Sequence, residues 1–163
     1  MSDGTNNTTA ALEWALRLVL ASALVIHSIL DVTDPCTGAK SHVLRVEDSL
    51  PRWLLPAVGT LRAVSAVALF SADDRAVLGA LAYCSALWSG AVCFHRRREH
   101  HPAAVVPAGL FVLLVFSIAA LRTEPWVALA GTAACALVAV MLSWILVAPA
   151  TKPEESETYQ ALS

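Results

Sequence analysis

The stretch "AAVVPAGLFVLLVFSIAAL", Ala103–Leu121, carries no charged residue. One helical crossing of a bilayer core needs about 20 apolar residues. A lipid-facing backbone must bond within its own segment, so the expected form is a transmembrane helix. Four further runs of similar length are mostly apolar, two of them with charged residues inside: Ala11–Leu30, Trp53–Phe70, Ala76–Phe94 and Trp126–Val147. The chain is 57% hydrophobic and 15% charged over 163 residues, with a mean hydropathy of +0.63. Soluble domains run at about 45–50% apolar and about 25% charged. The fold class expected is an all-α integral membrane protein. Its core would be an antiparallel four-helix transmembrane bundle, with a fifth transmembrane helix added.

The connections divide the chain further. "SADDR" and "RTEP" are short enough to force tight antiparallel hairpins, and only the loop from about Asp31 to Arg52 is long. The expected organisation is a short outer tail over 1–10, a four-helix membrane core over 11–122, an appended helix over 123–147 and a disordered cytoplasmic tail over 148–163. The segment before the first run, "MSDGTNNTTAALE", lacks the positive charge of a cleaved signal, so the first run is read as a retained helix.

With five crossings, the loops alternate sides. The side of the N-terminus and the two short loops holds Arg75 and Arg122. The other side holds Lys40, Arg45, Arg52, Arg96, Arg97, Arg98 and Lys152. The excess of positive charge faces the cytoplasm, which puts the N-terminus outside or lumenal and the C-terminus inside. Most of "HRRREHH", His95–His101, is then a cytoplasmic anchor, near anionic lipid. Asn6 and Asn7 fit the pattern for glycosylation acceptors on the outer side.

Ionisable residues inside the spans are costly and usually face protein or water. The first helix has Glu13, Arg17, His27 and Asp31, which fall within an arc of roughly 80° at helical spacing. They form one polar seam with Leu20 and Leu24 between its ends, and the seam is expected to face the bundle. The plain reading is two ion pairs at helix ends, Glu13 with Arg17 and Asp31 with His27, each four residues apart. Helix two adds Arg62, about 12 Å from the outer end, against about 9 Å for Arg17. Tyr83 of helix three comes out near that level. Arg62 would bond to Tyr83, to Ser65 or to carbonyls. Alternatively, Glu13, Arg17, Arg62 and Tyr83 line an intramembrane polar site for an anion or a carbonyl-bearing ligand such as a quinone.

At the inner mouth, His27, Asp31 and His95 form a second candidate polar site. Two histidines and a carboxylate on separate helices are a weak signal for metal, and no metal is assigned. Both histidines lie too near the boundary for haem ligation. The four cysteines, Cys36, Cys84, Cys93 and Cys135, contain no C-x-x-C. No catalytic constellation, phosphate loop or nucleic-acid module appears. Small residues four apart, such as Ser85 and Ser89 or Ala86 and Gly90, suit close helix packing. The final segment contains "YQAL", where Tyr159 and Leu162 match a tyrosine-based sorting signal of the kind cytosolic adaptors read as an added strand. In a eukaryotic cell this would send the protein between plasma membrane and endomembranes.

The runs "LRLVLASALVIHSIL", "LPRWLLPAVGTLRAVSAVALF" and "GALAYCSALWSGAVCFHRRREHHPAAVVPAGLFVLLVFSIAALR" together resemble the DoxX-like proteins over about residues 12–122. The matching positions are Arg17 at the start of helix one, Gly59 in helix two, and Gly90, Ala91, His95, Arg96 and Arg97 at the end of helix three. Arg62 stands where the family has a glutamate, and His27 lies near the place of its lysine, so no acid–base role carries over to either. The resemblance implies a four-helix membrane bundle. It also implies one of several roles: a subunit of a sulfur or quinone redox system, a member of an oxidative-stress complex, or an assembly factor for ion channels.

The function expected is therefore a non-enzymatic accessory, scaffold or assembly partner in a membrane complex. The alternative is a quinone-binding membrane subunit of a redox or oxidative-stress system. A small transporter comes third, since no inverted repeat or broken helix pair is evident. The partners expected are the lipid bilayer and a membrane protein or a second copy, with no nucleic acid. No cofactor is expected under the first reading.

Overall fold

A computed structural model describes residues 3–37, 53–98 and 102–146. Every regular element among them is helical. The helices are α1 (Asp3–Thr37), α2 (Leu54–Ala68), α3 (Asp74–Arg98), α4 (Pro102–Arg122) and α5 (Pro125–Leu146). Four of them are long and apolar enough to cross a membrane, through the stretches Asn7–Thr33, Asp74–Cys93, Val105–Arg122 and Pro125–Ile145. The fifth, α2, is apolar but has only 15 residues, about 22 Å against a hydrocarbon core of about 30 Å.

Three boundaries differ from the expectation. The helix α1 runs from Asp3 through Thr37, so most of the expected outer tail is helical and Asp31 lies well inside the helix. Conversely, the second run shortens. Trp53, Leu69 and Phe70 leave the helix, and Leu69 and Phe70 close the turn into α3 through bonds to the Ser65 and Val67 carbonyls. The third run extends to Arg98, so the helix continues into the basic segment.

Local chemistry explains the hairpins. In "SADDR", Asp73 accepts the Arg75 N–H at 2.9 Å, and its own N–H is donated to Ser71 Oγ at 3.1 Å. That caps the first turn of α3, where backbone donors have no helical acceptor. In "RTEP", Pro125 opens α5, where a missing N–H costs nothing. The Glu124 carbonyl accepts from Val127 and Ala128.

The first four helices form a ring. α1 packs against α2 and α4, and α3 packs against α2 and α4. α1 and α3 stand at opposite corners, and α5 lies outside the ring against α3 and α4. Leu20, Leu24, Leu69, Val77, Leu81, Cys84, Val115 and Ile118 fill the centre. The outer surface is apolar too, for example at Leu18, Ile26, Val67, Leu110, Leu137 and Met141. In lipid, apolar surface does not drive helices together, so packing and polar ties decide the arrangement.

Candidate functional site

The polar seam of α1 is its buried face. Arg17, Leu20, Leu24, Ser28 and Asp31 are all buried, with Leu20, Leu24 and Asp31 fully so. This seam feeds two charged clusters, one toward each end of the ring.

The first cluster joins α1 to the ends of three other helices. Arg17 pairs with Glu13 one turn earlier and donates from Nη1 to the Leu69 carbonyl at 2.9 Å, closing the C-terminus of α2. Glu13 also accepts from Arg122 Nε at 2.6 Å, at the end of α4. Arg122 Nη1 donates to Asp74 in the first turn of α3. Two arginines thus meet two carboxylates. Trp14 lies under the Arg17 guanidinium at 5.4 Å and stacks on Phe70 at 5.7 Å. Such aromatic residues are favoured at membrane–water interfaces.

The second cluster lies in the ring. Arg62 of α2 pairs with Asp31 of α1, and both are buried. The guanidinium stands 5.6 Å from the centre of the Trp88 ring. Trp88 stacks on Phe111 of α4 at 4.4 Å and meets the His27 ring edge-on at 5.3 Å. Two buried donors of this cluster, Arg62 Nε and Trp88 Nε1, have no acceptor among the described residues. Beside Asp31, α1 and α2 approach each other closely at Gly59. A Cβ there would lie 2.8 Å from Asp31 Cβ and 3.0 Å from the Ser28 carbonyl. The Ser28 hydroxyl uses the gap to donate to the Gly59 carbonyl at 2.7 Å.

The residues picked out in the sequence are therefore regrouped. Glu13 and Arg17 lie together at one end. Arg62 is not joined to Tyr83, Ser65 or a carbonyl as expected, but to Asp31. The reason is that α1 stays helical past Asp31, which leaves a carboxylate within the reach of a long guanidinium side chain. Depth counted from Cα positions misses that reach. Tyr83 donates instead to the Val58 carbonyl at 3.3 Å. His27 joins the aromatic group beside Asp31. His95 lies near the C-terminus of α3 and its side chain falls outside the described residues, as do Tyr159 and Leu162.

Sequence reasoning missed Asp74, Arg122, Trp88 and Phe111 as site members. A signal existed for the first two, which flank the two short loops on one side with opposite charge. Nothing in the sequence pairs Trp88 with Phe111. Among the described residues, no three of His, Cys, Asp and Glu converge as a metal site. Cys84, Cys93 and Cys135 are free thiols.

No curated protein and no solved structure matches the chain. The sequence model of the DoxX-like family matches residues 15–117, which begins within α1 and ends within α4. The match takes in well over half of the chain and the whole ring of helices apart from its ends, so the protein belongs to the DoxX-like family, with α5 as an added fifth helix.

Proposed function

We propose that this DoxX-like protein acts without catalysis, as an accessory, scaffold or assembly partner within a membrane complex. The observation that carries the reading is the pairing of its intramembrane charges. Charged groups in a span mark functional paths when they face a cavity or each other across a gap. Here Arg62 is matched to Asp31, and Arg17 and Arg122 to Glu13 and Asp74. The charges hold helices to one another, which suits a rigid platform. The proposed orientation follows the basic residues, with the N-terminus outside or lumenal and the C-terminus in the cytoplasm.

The second reading, a quinone-binding subunit, has one observation in its favour. Arg62 Nε and Trp88 Nε1 are buried donors without an acceptor among the described residues, beside stacked aromatic rings. A buried donor without a partner costs about 1–3 kcal/mol, which a ligand carbonyl would offset. One purification separates the two readings. Under the first, the protein taken from mild detergent carries a membrane protein at fixed stoichiometry and no extractable quinone. Quinone at one per chain, lost in Arg62→Leu while the protein still inserts, would replace the first reading by the second.

A further inference from the structure

A cleft of about 190 Å³ lies between α3, α4 and α5, with one end beside the Asp74–Arg122 pair. Its shape follows from the helices. α3 and α5 both start at the end where Asp74 and Arg122 pair, so they run in the same direction. Leu78, Thr123 and Val127 line the cleft near that end, and Ser85, Thr132 and Cys135 line it deeper in. From Leu78 to Ser85 is about 10 Å along α3, and from Val127 to Cys135 about 12 Å along α5. Half of a hydrocarbon core is about 15 Å. The cleft thus runs from just inside the polar boundary toward the middle of the bilayer.

Its walls are apolar, and two hydroxyls along them are already used. Ser85 donates to the Thr132 carbonyl at 3.3 Å, and Thr123 donates to the Ala119 carbonyl at 2.9 Å. Gly131 lines the cleft with open space where a Cβ would project. An apolar cavity of about 150 Å³ accepts a benzene-sized solute, so this cleft has room for a stretch of hydrocarbon.

The geometry points to one occupant: an acyl chain of a bilayer phospholipid, seated between α5 and the four-helix ring. Length, direction and depth match such a chain, whose headgroup would sit at the charged end. Hydrocarbon is also the medium that surrounds the cleft at this depth. α5 packs directly on α3 where Gly90 faces Ala139 and Ser143, and the acyl chain fills the gap beside that contact.

The test places the full chain in phosphatidylcholine nanodiscs containing a trace of phosphatidylcholine with a photoreactive group at mid-chain. After illumination, adducts are mapped by peptide mass. The expected result is a several-fold enrichment at Ala82, Thr132 and Cys135 over Leu110 and Leu113, which face outward on α4. Gly131→Phe, which fills the cleft, should bring the enrichment down to the level of the outward positions. An even spread of adducts in the natural sequence would overturn the proposal, whether or not Gly131→Phe folds. So would a disulfide between Cys135 residues of two copies under mild oxidation, because a second chain would then occupy the cleft.

Discussion

Arg62 and Asp31 carry opposite charges in a place where either alone would be severely penalised. Removing one member of a buried pair costs about 3–5 kcal/mol because the other charge is stranded, while replacing both by apolar groups is often neutral. Asp31→Ala should therefore lower stability in detergent by about that amount, read from unfolding in denaturant. The double variant Asp31→Leu with Arg62→Leu should recover most of it. A double variant as unstable as the single one would show that the pair is not what Asp31 stabilises. At this scale, sequence and structure divide by distance. Glu13 and Arg17 are four residues apart on a helix, so their pairing is legible from spacing. Asp31 and Arg62 are separated by 31 positions and a long connection, so no local rule brings them together.

At the scale of elements, length and apolar run located every helix, but not its ends. α1 outruns its apolar stretch at both ends, against the low helix propensity of the Asp, Gly, Asn, Thr and Pro residues there. α2 stops short because the hairpin to α3 takes its last residues. The contact between α1 and α2 depends on Gly59, which the resemblance to the family marked without showing its use. Gly59→Ala should force the two helices apart against Asp31 and the Ser28 carbonyl. Overpacking of this kind costs about 1–3 kcal/mol. The check is the melting temperature beside that of Gly109→Ala, whose Cβ would have open space and whose stability should not fall. Equal melting temperatures would show that the helix pair yields without cost.

For the whole molecule, the distribution of basic residues sets the expected topology. A tag at the C-terminus should be protected from external protease in intact cells, and one at the N-terminus should be cleaved. The reverse pattern would move "HRRREHH" to the outer side. If the tail is cytoplasmic in a eukaryotic cell, Tyr159→Ala should raise the surface pool relative to internal membranes, as surface labelling would show. An unchanged distribution would remove the sorting role from "YQAL". Sequence alone determined the class, the number of helices, the hairpins, the family and the buried face of α1. These follow from apolar run length, turn chemistry and helical period, all of which are local. Only the tertiary structure decided that Arg62 belongs to Asp31, that Arg122 and Asp74 complete the cluster around Glu13, and that a cleft opens between α3, α4 and α5. Those depend on which helices become neighbours. In lipid that choice comes from close packing and polar ties between distant residues, which no window along the chain contains.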